Sequence, residues 1–257
     1  MILSCNGLSV LTGGKEVIKN ISFEVDKPQL IGLLGPNGAG KSTLMRALMS
    51  LIPFNGQINH QGLSDGRADQ NALAQKVAYL PQERKVHWDI CCRDIVMLGR
   101  TPHQPKFGRS SDEDRRIVLA AMQQMGVAEF VDRPYDSLSG GEQARVLSAR
   151  TLAQQTDVII ADEPTSGLDP AYQIEMMQMF RSLVDAGKTV LVSLHDLPLA
   201  SNWCDRILLM KEGALIADAP PVEAMSTALM QQVFGISVAV LPDTKGPIVV
   251  PVDKYRK

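Results

Sequence analysis

The chain has no apolar run long enough to cross a bilayer. Its continuous apolar stretches, residues 30–34 and 158–161, fall far short of the ~20 residues that a spanning helix needs. The N-terminus lacks the basic-then-apolar layout of a secretory leader. These two absences predict a cytoplasmic protein that reaches a membrane only through a partner. Cysteine is scarce: Cys5, Cys91, Cys92 and Cys204 show no C-x-x-C spacing, so they are read as buried or idle thiols of a reducing compartment. The vicinal Cys91-Cys92 pair is the one redox candidate. Net charge is only −2, which argues against binding nucleic acid as a polyelectrolyte and leaves room for no more than a local basic patch. No cluster of His, Cys, Asp and Glu marks a metal store, and no internal repeat or low-complexity tract is present. What remains is ordinary for a globular protein: 257 residues, 45% hydrophobic and 21% charged, ample for a sizeable core in one or two domains.

Patterning predicts strands at 2–10 and 21–25, flanking a turn at Gly13-Gly14, and at 30–34, whose continuous apolar character suits a strand buried on both faces. A glycine-rich loop follows, then a helix over 42–51 that Pro53 and Gly56 end. A short strand falls at 77–80. Between 83 and 156 the texture changes. Residues 112–125 place Ile117, Val118, Ala121, Met122 and Met125 on one helical face. Ser139 and Glu142 form an S-x-x-E capping box ahead of a helix over 141–153. This stretch reads as a helical insert in an α/β core. The core resumes with a strand at 158–161, a helix at 170–186, strands at 189–194, 207–210 and 214–217, and a helix at 222–234. The tail, 236–257, is short, interrupted by proline and without clear pattern.

Three segments carry chemistry. Gly35-Pro36-Asn37-Gly38-Ala39-Gly40-Lys41-Ser42-Thr43 fits the phosphate-loop pattern G-x-x-x-x-G-K-[ST]. Triphosphate carries several negative charges, so its site needs many donors in little space. Glycines let backbone N–H groups approach the phosphates, and the following helix adds unpaired N–H groups and the positive end of its dipole. Lys41 supplies a cation for the β and γ phosphates, and the Ser42 hydroxyl is placed for Mg²⁺. The second segment is the strand 158–161 ending in Asp162-Glu163. Asp162 is suited to holding Mg²⁺ through water, and Glu163 to polarising an attacking water. The third is Leu138-Ser139-Gly140-Gly141-Glu142-Gln143, where a hydroxyl, exposed amides and a helix N-terminus make a second anion site.

In this order the three segments resemble the ATP-binding cassette family, in which residues 138–143 occupy the signature motif. The resemblance covers nearly the whole chain. It implies an α/β fold with a P-loop NTPase (RecA-like) core, an antiparallel β subdomain and an inserted α-helical subdomain. The corresponding division is 1–83 with 156–225 as the nucleotide-binding core, 84–155 as the helical signature part, and 226–257 as a short C-terminal extension. It implies ATP and Mg²⁺ as cofactors, and it assigns further roles. Gln82, in Tyr79-Leu80-Pro81-Gln82, matches the glutamine that senses Mg²⁺ and nucleotide and links to the membrane subunit. His195 matches the histidine that contacts the γ-phosphate. Asp169, in Ser166-Gly167-Leu168-Asp169, matches the loop that crosses the dimer interface, although Asp169-Pro170 is also a good helix start. Ser139, Gly140, Gly141 and Glu142 would face the γ-phosphate held by a second subunit. Two ATP molecules would thus be sandwiched in a head-to-tail pair, and one copy of each motif implies a partner cassette, this chain itself. There is one departure: the position where many members stack an aromatic ring on adenine holds Thr12.

Two finer features, Leu98-Gly99-Arg100-Thr101-Pro102-His103 and Val233-Phe234-Gly235-Ile236-Ser237-Val238, are similar to importer ATPases for iron chelates, haem and cobalamin. His195-Asp196-Leu197-Pro198-Leu199-Ala200 also fits them. His103 itself reads as a surface loop histidine. Importers of zinc and manganese share much of this pattern, and a soluble cassette protein of cluster assembly, or an exporter, stays open. For an importer the resemblance implies polytopic permease subunits, an indirect link to a substrate-binding protein, no nucleic acid, and a peripheral position on the cytoplasmic face of the inner membrane. The permease would be met around Gln82 and the insert, with Trp88 a candidate contact.

Overall fold

A computed structural model describes residues 1–64, 69–83, 86, 90–105, 109–243 and 247–254. The chain opens with a hairpin of β1 (Leu3–Thr12) and β2 (Lys15–Val25). Its two-residue turn places Gly13 and Gly14 at φ 58° and 78°, the left-handed conformation that matches the twist of paired strands. Strand β2 starts six residues before the expected 21, because its first half, KEVIKN, is largely exposed and hides the alternation. Next come β3 (Leu30–Leu34), every residue of it buried, and α1 (Lys41–Leu48). Helix α1 stops short of 51 because Ser50 takes φ 52°.

The strands β4 (Asn55–His60) and β5 (Leu63–Ser64) and the helix α2 (Gln70–Lys76) were not expected from patterning. Helix α2 is capped by the Asp69 side chain, which accepts from the Ala72 N–H. Strand β6 (Val77–Leu80) leads to α3 (Cys92–Met97), also unanticipated, which runs into a 3₁₀ turn over Leu98–His103. Helices α4 (Asp112–Gln124) and α5 (Gly140–Ala153) each start on a full capping box, Ser111 with Asp114 and Ser139 with Glu142.

The second half alternates: β7 (Val158–Ala161), α6 (Pro170–Asp185), β8 (Thr189–Ser193), α7 (Leu197–Trp203), β9 (Arg206–Lys211) and β10 (Ala214–Ala219). The single helix expected over 222–234 is instead two, α8 (Pro221–Ala224) and α9 (Thr227–Phe234), because Ser226 turns extended and restarts the helix behind the buried Met225. The patternless tail forms an antiparallel hairpin of β11 (Ile236–Leu241) and β12 (Ile248–Lys254).

Strands β2-β1-β4-β5 make one antiparallel sheet, and β10-β9-β3-β8-β7-β6 make another. The larger sheet is parallel except for its edge strand β10. Successive side chains of a strand point to opposite faces, and the core divides accordingly. Ile31, Leu33, Ile160, Leu191 and Leu208 pack with the β1–β2 hairpin and α1. Leu30, Leu34, Ile159, Val190, Val192, Ile207 and Leu209 pack with residues of α3 to α6. Both faces are covered, which is why these strands read as unbroken apolar runs. The result is the α/β cassette architecture that the resemblance implied.

Candidate functional site

The sheet's parallel direction assembles the site. Four segments leave the C-terminal ends of adjacent strands: Gly35 after β3, Gln82 after β6, Asp162-Glu163 after β7 and His195 after β8. Open parallel sheets gather ligands at that edge. Register makes the placement specific, since Leu80 pairs with Ala161 and Ala161 with Val192.

The phosphate loop is held from beneath. Gly35 stands at φ 156°, and a Cβ there would lie 2.4 Å from the Met210 carbonyl oxygen of β9, so the strand can turn sharply into the loop only without a side chain. Lys41 is buried, and its Nζ donates to the carbonyls of Gly35 (2.7 Å) and Pro36 (3.4 Å). Burial pulls the Lys41 pKa below its ordinary value, and the nearby carboxylates of Glu163 and Asp162 oppose that shift. A cavity of about 280 Å³ is lined by Val17, Asn37 to Thr43 and Glu163. Lys41, Ser42 and Thr43 thus face the same space as Glu163, while Gly35 and Pro36 serve it by anchoring Lys41. No aromatic side chain lines this cavity among the described residues. Thr12 ends β1 opposite Lys15 and is exposed.

Glu163 is the centre of a polar cluster. It is a non-glycine residue at φ 47°, an uncommon conformation that persists only where surroundings enforce it. Its Oε1 accepts from His195 Nε2 at 2.5 Å and its Oε2 from Gln82 Nε2 at 2.6 Å. A carboxylate only accepts, so the His195 proton sits on Nε2. Its backbone N–H donates to Ser193 Oγ at 2.8 Å. Asp162, 2% exposed, receives the Ser193 hydroxyl on Oδ1 (2.7 Å) and the Tyr79 hydroxyl on Oδ2 (3.4 Å). Burial, with the Asp162 charge, raises the Tyr79 pKa. The hydroxyl of Ser42, the amide oxygen of Gln82 and the carboxylate of Asp162 are hard oxygen donors, the set that suits Mg²⁺.

The other expected residues stand apart from this cavity. Ser139 caps α5: its Oγ and its N–H both donate to Glu142 Oε2, at 2.8 and 2.7 Å. These bonds hold the Glu142 carboxyl below its usual range. Asp169 caps α6, accepting the Tyr172 N–H at 3.1 Å. The two helix starts are neighbours, since Gly141 and Leu168 share a cleft with Arg145 and Tyr172. Within one copy, then, Ser139, Gly140, Gly141, Glu142 and Asp169 do not line the cavity of Lys41 and Glu163.

Patterning missed Ser193, Tyr79 and Val17. The available signal for Ser193 was a hydroxyl closing the strand TVLVS two residues before His195. Of the remaining candidates, His103 bonds the Gln154 carbonyl oxygen at 2.8 Å on the surface. Cys91 and Cys92 are free thiols, and burial raises the Cys92 pKa, which disfavours a reactive thiolate. Trp88 lies outside the described residues.

Known proteins resemble this chain along nearly its whole length. A family described as ABC transporter matches residues 18–166. The hemin import ATP-binding protein HmuV of Rhodococcus jostii is 38% identical over 254 residues, 97% of this chain and 86% of that protein. The iron(3+)-hydroxamate import ATP-binding protein FhuC of Bacillus subtilis is 33% identical over 258 residues, 99% of this chain and 96% of that protein. Among solved structures, an inward-facing ABC transporter assigned to the metal-chelate type superimposes with a TM-score of 0.85 at 22% identity, over 98% of this chain and 97% of that one. The chain therefore belongs to the ABC transporter family, as one of its ATP-hydrolysing cassettes.

Proposed function

We propose that the chain is the nucleotide-binding subunit of an importer, and that two copies close head to tail on two ATP molecules to drive uptake of an iron chelate, haem or cobalamin. The observation that carries this reading is the convergence of Gln82 and His195 on Glu163 at the mouth of the phosphate-loop cavity. Relatives named for hemin and iron(3+)-hydroxamate import support the cargo class. In this reading 1–83 with 156–225 form the nucleotide-binding core, 84–155 the signature part and 226–257 an extension.

Each residue then has a task. The backbone N–H groups of residues 37–43 and the Lys41 ammonium take the phosphates, Lys41 exchanging its bonds to the Gly35 and Pro36 carbonyls for phosphate oxygens. Ser42, Gln82 and Asp162 would hold Mg²⁺, which when bound neutralises phosphate charge. Glu163 accepts a hydrogen bond from the attacking water and orients it. Water adds to the γ-phosphorus as the bond to the bridging β–γ oxygen breaks, and ADP, phosphate and a proton leave. His195 holds Glu163 until ATP enters, when its Nε2–H would be exchanged to the γ-phosphate. Ser139, Gly140 and Gly141, with Glu142 locking their cap, meet the γ-phosphate of the other copy, and Asp169 lies at that interface. Their separation from the cavity within one copy supports this assignment. Gln82 relays the nucleotide state to polytopic permease subunits, which engage a substrate-binding protein. Among the described residues no helix is long and apolar enough to cross a membrane, which suits a peripheral subunit on the cytoplasmic face of the inner membrane.

The test is Glu163→Gln, which keeps the size of the side chain but removes its charge and replaces one of its two acceptor oxygens with a donor. Hydrolysis should fall by about 100-fold or more while ATP is still bound. Tagged Glu163→Gln protein, held with ATP in detergent-solubilised native membranes, should capture a polytopic membrane protein. Hydrolysis at the wild-type rate would remove Glu163 from its role. Capture of soluble partners alone would contradict the importer reading and favour a soluble cassette.

A further inference from the structure

The residue next to the two carboxylates that motif analysis passes over is Ser193, the last residue of β8. It is 0% exposed, and its one hydroxyl does two things. It donates its proton to Asp162 Oδ1 at 2.7 Å and accepts the Glu163 N–H at 2.8 Å. The placement follows from register: Ala161 pairs with Val192, so the next residue on each strand, Asp162 and Ser193, stand side by side. From this geometry we infer that Ser193 is a positioning residue for hydrolysis, a buried hydroxyl that fixes the Asp162 carboxylate and the Glu163 peptide together. The inference rests on the reading of Asp162 and Glu163 given above.

The physical need is clear at both partners. Glu163 sits at φ 47°, so its peptide would relax unless something held it, and the bond from its N–H to Ser193 is the side-chain contact that does so. That peptide aims the side chain whose two oxygens meet His195 and Gln82. On Asp162, the Ser193 proton occupies one direction of Oδ1 and the longer Tyr79 contact approaches Oδ2. The carboxylate is thereby held in one rotamer with lone pairs left for a hydrated cation. Ser193 touches neither water nor phosphate in this scheme. Its effect on the reaction passes through the two acids, and a displacement of an ångström in such a group is worth about 100-fold in rate.

Two substitutions separate hydrogen bonding from packing. Ser193→Ala removes the hydroxyl. Ser193→Cys keeps a side chain of similar shape but offers only a weak donor and acceptor. Both should lower kcat for ATP by about 10- to 100-fold with KM changed by no more than about threefold. Both should also weaken Mn²⁺ binding to the ATP-loaded protein, followed by electron paramagnetic resonance, by about tenfold. Recovery of wild-type kcat and Mn²⁺ affinity in Ser193→Cys would show that Ser193 only fills space and would overturn the inference. So would equal loss of ATP affinity and rate in both variants. Glu163→Gln is measured in parallel. If it is slow while both Ser193 variants are fast, this inference alone fails. If Glu163→Gln itself is fast, the underlying reading of the site fails.

Discussion

Glu163 and Asp114 show how single residues are forced into costly states and what holds them there. Glu163 keeps a left-handed backbone because its N–H and Oε1 are bonded by Ser193 and His195 at the end of β8, and its Oε2 by Gln82 after β6. Asp114 is buried, yet remains ionised because Arg100 Nε meets it at 2.9 Å and Ser111 bonds it through both N–H and hydroxyl. These bonds, the Arg100 one foremost, bring the Asp114 pKa down from 3.8 to about 2. A carboxyl whose folded pKa is depressed adds stability above its unfolded pKa and loses it as pH falls through the folded value. Acid unfolding should therefore steepen between pH ~4 and ~2. Arg100→Ala strands the buried carboxylate and opens the Arg100 bonds to the Ala153 carbonyl oxygen and to Gln155. It should cost about 3 kcal/mol at neutral pH and flatten that acid limb, as followed by circular dichroism. An unchanged pH profile would contradict the pairing. At this scale the sequence was most legible where chemistry demands particular residue types in contiguous order, as in residues 35–43 and Asp162-Glu163. Ser193 was not legible, because a hydroxyl in an apolar strand has no periodic signature and its partners are 30 residues away or more.

Elements were legible in proportion to what they bury. Strand β3 and its parallel neighbours read as unbroken apolar runs, α4 announced itself through its apolar face and α5 through its capping box. Helix α2 buries only Leu73, and β4 is the polar string NGQINH. Neither offers a period to detect. The C-terminal hairpin was obscured by Pro251, which looks like a strand breaker. It falls where the register of β11 and β12 shifts, a place a two-stranded ribbon tolerates. Ile236, Val238 and Val249 pack this hairpin against the core, and a side-chain hydrogen bond reinforces the contact. Val249, wholly buried, donates its N–H to Ser201 Oγ of α7 at 2.9 Å, and Ser201 in turn donates to the Pro198 carbonyl oxygen. Ser201→Ala leaves that buried N–H without its acceptor and should cost about 1–3 kcal/mol. Hydrogen exchange should show the Val249 amide losing protection first. Full protection of that amide in the variant would mean that the hairpin is held elsewhere.

For the molecule as a whole, the central claim is that one copy carries two half-sites that are completed only by a second copy. Lys41, Asp162 and Glu163 gather at the C-terminal edge of the large sheet, while Ser139 to Glu142 open α5 away from that cavity. In the proposed two-fold pair each half would meet its complement across an isologous interface. Each triphosphate would then bridge both copies, so nucleotide and dimer would stabilise one another by mass action. The measurement that tests this most directly is the molar mass of Glu163→Gln in solution by light scattering after size-exclusion chromatography, with and without ATP. The account predicts a mass near 28.0 kDa, that of one chain, without nucleotide, and twice that mass with ATP. A single-chain mass at saturating ATP, with ATP bound, would contradict it.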